Sequence, residues 1–213
     1  MFNLPLLFIT SFVITLSGAM MPGPLLTVTI ANSAKKGFWE GPLLVLGHGI
    51  LEFILVISIL LGLSSILKSS TFIMSISIIG GSILIYMGYD MIKSAKNLTL
   101  DTKKIKNKDK GIYSSSIIAG AMVSLANPYW ILWWATIGMG YLMSAIKFKI
   151  IGIAIFFTGH ILADLAWYSL VSFGISKGKK IMKDTTYHVI IKLCGVFLII
   201  FGGYFLYGIR NYV

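Results

Sequence analysis

Two stretches of this sequence share one chemical pattern: Gly47-His48-Gly49-Ile50-Leu51-Glu52 and Gly159-His160-Ile161-Leu162-Ala163-Asp164. Each reads Gly-His-x-x-x-acid, so on a helix the imidazole and the carboxylate lie one turn apart on the same face. A buried pair of this kind can take up and release a proton in the physiological range. It can also satisfy itself and only lock helix packing. Taken together, His48, Glu52, His160 and Asp164 form a two-His, two-carboxylate set suited to zinc or a similar divalent ion, provided their helices meet face to face. All three roles are compatible with the spacing.

A second matched pair of signals is Pro22-Gly23-Pro24 and Asn127-Pro128, both inside uncharged stretches. Proline has no N–H and breaks the helix bond to the carbonyl four residues back. Pro22 and Pro24 should therefore orphan the carbonyls of Gly18 and Met20, and Pro128 that of Ser124. Unpaired backbone at membrane depth survives only inside protein or against a wet cavity. One proline alone reads as a plain kink, but two breaks in corresponding positions point to a substrate site. Tyr129, Trp130, Trp133 and Trp134 follow the second break and can stack on a cation or serve as bulky packing.

The elements that must position these groups are membrane spans. Only 12% of residues are charged and 57% are hydrophobic, with a mean hydropathy of +0.89. A soluble domain carries about a quarter charged residues. No charge occurs from Met1 to Ala34, from Ser69 to Tyr89 or from Gly111 to Ile146. Each gap exceeds the roughly 20 apolar residues that cross a bilayer. The pattern predicts an all-α integral membrane protein with six transmembrane helices near Leu4–Ile30, Pro42–Ser64, Ser70–Ile92, Ser114–Met143, Phe148–Gly174 and Tyr187–Ile209. The first lacks the basic n-region of a secretory signal and is expected to be a retained span.

The halves look alike. Ser17-Gly18-Ala19-Met20 before the first break matches Ala119-Gly120-Ala121-Met122 before the second, and Gly81 and Gly88 match Gly195 and Gly202 at the same interval. Residues 1–95 and 114–213 therefore read as two three-helix repeats, with helices one and four broken at proline. Three is odd, so the repeats enter the membrane from opposite sides, an inverted topology typical of secondary transporters. Between them, residues 96–113 form a basic loop. It carries most of the seven lysines after span three, from Lys93 to Lys110.

The loops after spans one, three and five carry two, seven and four Lys or Arg, against four on the other side. The positive-inside bias predicts a cytoplasmic 96–113 loop and both termini outside the cytoplasm. It also accounts for the net charge of +11, which sits in loops rather than on a nucleic-acid surface. Cys194 is the only cysteine, which excludes an internal disulfide. No nucleophile–base set or phosphate loop is visible, which argues against an enzyme, and no motif calls for a cofactor.

Pro-Gly-Pro late in the first span, Gly-His-x-x-x-Glu in the second and Asn-Pro in the fourth resemble the lysine exporter (LysE) translocator family over the whole chain. The resemblance implies an inner-membrane exporter of basic or neutral amino acids, often with proton coupling, whose pathway is shaped by Pro22, Gly23, Pro24, Asn127 and Pro128. Many neutral-amino-acid exporters of that family follow Asn-Pro with Lys, whereas Tyr129 and Trp130 stand here. The combined expectation is alternating-access export of an amino acid. Glu52 and Asp164 would receive a cationic side chain, as of lysine or arginine, or relay protons with His48 and His160. The alternative is a divalent-cation exporter using the same four residues. The partners expected are the lipid bilayer, a small amino acid and, if copies associate, a homo-oligomer.

Overall fold

The computed structural model describes residues 3–21, 23–63, 66, 69–95, 115–178 and 183–211. Pro22, Lys68, Lys179, Lys180 and the basic loop carrying Lys96 to Lys110 lie outside the described residues. The described chain is built from α1 (Leu4–Ala19), α2 (Pro24–Lys36), α3 (Glu40–Ser58), α4 (Ser70–Ser94), α5 (Ser116–Leu125), α6 (Pro128–Trp133), α7 (Met139–Ile146), α8 (Lys149–Gly178) and α9 (Asp184–Gly208). Four helices are long and apolar enough to cross a membrane alone, and the count reaches six if each bent pair is one span. The protein is thus an all-helical, multi-pass membrane protein.

The two bent spans fall where the prolines are. α1 starts on Asn3, whose side chain accepts the Leu6 N–H at 2.9 Å, and stops at Met20. The chain restarts at Pro24, the first helical position, where its missing N–H removes nothing. The axes of α1 and α2 diverge by 73°. In the second half, α5 ends at Ala126, Asn127 turns the chain, and Pro128 opens α6. The bend there is 67°, and α6 runs on through a widened turn at Trp134–Gly138 into α7.

The carbonyls expected to be orphaned at these breaks are not all open. The Gly18 carbonyl accepts the Met21 N–H at 3.1 Å, and that of Ser124 accepts the Asn127 N–H at 3.0 Å. Each helix tightens its last turn, as helix ends commonly do, and closes the gap that proline leaves.

Packing exchanges the halves. α1 lies along α8, while α5 lies along α3, and α4 pairs with α9. The α4–α9 contact is glycine against glycine. A Cβ on Gly81 would sit 2.9 Å from the Gly202 carbonyl oxygen, and one on Gly202 would sit 2.6 Å from that of Gly81. Gly88 and Gly195 face each other in the same way. Without side chains the two backbones touch, the close approach that small residues permit between membrane helices. On the α3–α5 side, Gly47 meets the backbone of Ile117 and Gly120 that of Leu44. On the α1–α8 side, Gly159 meets Ser11 and Phe8. These contacts bring the middles of α3 and α8, the helices carrying the two His–acid pairs, toward one another.

Candidate functional site

On α3, residues Gly41, Leu44, Val45, Gly47, His48, Glu52 and Val56 are buried. On α8 the buried set is Gly152, Phe156, Gly159, His160, Ala163, Asp164, Tyr168 and Ser172. Each set follows helical spacing, so each histidine and its acid share the inward face. α3 packs on α8, and the four polar side chains converge: one ligand atom from each of His48, Glu52, His160 and Asp164 falls within 4.8 Å of the others. Spans two and five do meet face to face.

Glu52 is saturated. Its Oε1 accepts the indole N–H of Trp130 at 2.9 Å and that of Trp134 at 2.8 Å, and it stands 3.2 Å from His48 Nε2. Its Oε2 lies 2.8 Å from His160 Nε2. An indole N–H can only donate, so Oε1 is fixed as an acceptor. Asp164 differs. Its Oδ2 is buried and, among the described residues, has no hydrogen-bond partner; His160 Nε2 stands 3.5 Å away and His48 Nε2 3.7 Å. A buried carboxylate oxygen without a donor is expensive to keep, roughly 1–3 kcal/mol or more.

Both imidazoles are oriented from behind. His48 Nδ1 lies 2.7 Å from Ser124 Oγ on α5, and His160 Nδ1 lies 2.7 Å from Thr15 Oγ1 on α1. Ser124 gives its own proton to the Gly120 carbonyl at 2.8 Å. With that proton on the carbonyl, Ser124 can accept from His48 Nδ1–H, and the ring's Nε2 is turned toward the acids. The rings of Trp133, Trp134 and Phe156 surround His160 at centroid distances of 5.0, 5.4 and 6.1 Å.

The cluster opens onto a cavity of about 80 Å³ that also touches Thr15, Gly18, Leu25, Asn127, Tyr129, Trp133 and Tyr168. Both helix breaks therefore border the same space as the four titratable groups. The two half-helices beginning there are finished differently. Asn127 caps α6, accepting the Tyr129 N–H on its Oδ1 at 3.1 Å. Gly23 at the start of α2 offers no side chain to do so.

A second polar knot closes the end of the bundle that carries Lys35 and Lys36. Glu40, at the start of α3, accepts hydrogen bonds from Ser116 at the start of α5 and from Asn32 Nδ2 at 3.1 Å, with Lys36 Nζ at 4.0 Å. Beside it, Ser33 on α2 bonds Ser172 on α8 at 2.7 Å.

Of the residues picked out from the sequence, His48, Glu52, His160 and Asp164 come together. Asn127 lines their cavity, Gly23 and Pro24 start α2, Pro128 starts α6, and Pro22 lies outside the described residues. Missed from the sequence were Thr15, Ser124 and Glu40, while Trp130 and Trp134 were noticed only as stacking or packing groups. Their spacing of four puts two indole donors on one helix face, a sign present in the sequence.

The profile of the LysE type translocator family matches residues 16–208. Among curated proteins, the chain is similar to "Putative amino acid efflux protein YcgF" of Bacillus subtilis (strain 168), 25% identical over 96% of this chain and 98% of that one. It is also similar to "Uncharacterized membrane protein YrhP" of the same organism, 27% identical over 86% of this chain and 90% of the relative. No solved structure matches it. With its helices, its buried polar cluster and this match over nearly its whole length, the chain belongs to the LysE type translocator family: it is a multi-pass membrane transporter of small molecules and not an enzyme.

Proposed function

We propose that this protein exports amino acids across the plasma membrane and holds the zwitterion between two unfilled sites of opposite sign. One is Asp164 Oδ2, a buried carboxylate oxygen with no hydrogen-bond partner among the described residues. The other is the N-terminus of α2, where Gly23 supplies no cap. A helix N-terminus offers free N–H groups and a positive dipole end, which suit a carboxylate. Leu25 on α2 and Asp164 line the same cavity, so one small molecule can reach both. The observation that carries the proposal is the unpartnered Asp164 oxygen in that cavity.

The α-ammonium group goes to Asp164 and the α-carboxylate to α2. Glu52 Oε1 is already held by two indole N–H groups and Oε2 lies against His160, so Glu52 shapes the amino-acid site and Asp164 is the counter-charge to the ammonium group. The side chain then faces Tyr129, Trp130 and Trp133. Such rings can receive a lysine or arginine side chain by cation–π contact, worth about 0.5–2 kcal/mol, which supports basic amino acids as first candidates. The cavity of about 80 Å³ is far smaller than the roughly 300 Å³ of typical ligand pockets. Binding therefore requires the arms α2 and α6 to part, and the polar knot at Glu40 is the contact that must open on the lysine-rich side.

That knot joins α2, α3, α5 and α8, which supports alternating access by movement of one half on the other. The reciprocal pairing of α1 with α8 and α5 with α3 supports two inverted repeats at 1–95 and 114–213 around the 96–113 loop. The lysine bias supports both termini outside the cytoplasm. His48, Glu52, His160 and Asp164 form a continuous set of proton carriers, and a proton taking the place of the ammonium at Asp164 on the return step makes export proton-coupled.

The test is counterflow in proteoliposomes. Radiolabelled lysine or arginine should accumulate against preloaded unlabelled substrate, and do so far less in Asp164→Asn. No counterflow with any of the twenty amino acids would contradict the proposal.

A further inference from the structure

The geometry points to a binding site for a single transition-metal cation of the zinc class, held by His48 Nε2, Glu52, His160 Nε2 and Asp164 Oδ2. His48 Nε2 stands 3.2 Å from Glu52 Oε1, Glu52 Oε2 stands 2.8 Å from His160 Nε2, and Asp164 Oδ2 stands 3.5 Å from His160 Nε2 and 3.7 Å from His48 Nε2, with one ligand atom of each residue within 4.8 Å of the others. A tetrahedral ion with bonds of about 2.0–2.2 Å holds its donors about 3.3–3.6 Å apart. The four ligand atoms lie within 4.8 Å of one another, close enough for one ion to draw them into a tetrahedron.

Three further observations agree. First, Asp164 Oδ2 is buried, unpartnered among the described residues and aimed at both imidazoles, which a ligand of positive charge would resolve. Second, the imidazoles are held as metal-binding histidines usually are, with the far nitrogen hydrogen-bonded: Nδ1 of His48 lies 2.7 Å from Ser124 Oγ, and Nδ1 of His160 lies 2.7 Å from Thr15 Oγ1. Third, the two indole N–H groups fix Glu52 in place. Two carboxylates match a dication, so the filled site is neutral, as a low-dielectric interior requires. His and carboxylate ligands favour zinc and cobalt over magnesium or calcium, which prefer oxygen alone. The ion links α3 to α8 and takes the oxygen to which an ammonium group would otherwise bind.

The experiment is a titration of the whole purified chain with Co²⁺, followed by visible absorption. One Co²⁺ per chain is expected, with the intense bands of a tetrahedral ion that Zn²⁺ abolishes by displacement. Those bands should vanish in His160→Gln and Asp164→Asn, weaken in affinity by about 10–100-fold in Ser124→Ala, and persist in His188→Gln. Should His160→Gln fail to fold, Asp164→Asn decides, because Asp164 Oδ2 has no hydrogen-bond partner among the described residues and its loss leaves the helices paired. Zn²⁺ should then raise the thermal midpoint of the wild type and not of Asp164→Asn. Bands or Zn²⁺ stabilisation that survive in Asp164→Asn, or their absence from the wild type, would overturn the inference. Because the titration uses metal alone, its failure says nothing against amino-acid export, which the counterflow assay reads separately.

Discussion

Glu52 and Asp164 occupy the same place in the same motif, one turn after a histidine, yet the protein treats them in opposite ways. Glu52 draws donors from α6, the widened turn after it and α8, while Asp164, which also lines the cavity, has an Oδ2 with none among the described residues. The helix breaks reverse the asymmetry. The first half, which holds the saturated acid, has the uncapped half-helix at Gly23; the second, which holds the open acid, has its half-helix capped by Asn127. Each half thus spends one polar device on holding the fold and leaves the other open to the cavity. The two open devices have opposite sign, and a zwitterion can join them. One Gly-His-x-x-x-acid pattern thus carries an acid held by several donors and an acid that lacks them among the described residues.

Substitutions can break or sharpen that comparison. The largest effect is expected from Asp164→Asn, which should lower export about 100-fold, equivalent to about 2.8 kcal/mol, while the thermal midpoint hardly moves. Normal export by this variant, measured as counterflow, would erase the distinction between the acids. Glu52→Ala should show the opposite profile. It strands two indole donors and a histidine in the interior, and its unfolding free energy in detergent should fall by roughly 3–5 kcal/mol.

Next in size are the glycines of the α4–α9 contact. Gly88→Leu and Gly195→Leu should each destabilise by roughly 1–3 kcal/mol, because each side chain meets the opposite backbone. Equal shifts in the two are expected from their reciprocal contact, and a large inequality would argue against the paired geometry. The smallest effects separate the breaks. Asn127→Ala should lose a cap worth about 1 kcal/mol. Gly23→Ala removes no capping side chain, and its added Cβ would lie 3.8 Å from the Met21 carbonyl oxygen, so its thermal midpoint should stay near the wild type.

Much of this was legible in the sequence because the signals were local. Uncharged stretches mark spans, prolines mark breaks, and His–acid spacing of four marks a shared face; each lies within a few residues of chain. What could not be read was long-range. Trp130 and Trp134 visibly share a face, but their acceptor, Glu52, is 78 and 82 residues away. Thr15 and Ser124 are ordinary residues until α1 and α5 set them behind the imidazoles. The breaks were placed correctly, yet the carbonyls of Gly18 and Ser124 found new donors in the tightened last turn, a local relaxation that a count of missing N–H groups omits. Above all, the shared Gly-His-x-x-x-acid pattern does not tell which acid is filled and which is open, since the donors that differ lie on other helices.

The central claim is that the substrate's ammonium group meets Asp164 while its carboxylate meets the start of α2. It is tested most directly by binding to detergent-purified protein, comparing lysine with its analogue lacking the α-amino group and its analogue lacking the carboxylate. In the wild type, lysine should bind well and both analogues poorly. In Asp164→Asn, lysine should fall to the level of the analogue without the α-amino group, which itself should be unaffected by the substitution. Equal loss of all three ligands in Asp164→Asn, or undiminished lysine binding there, would contradict the account.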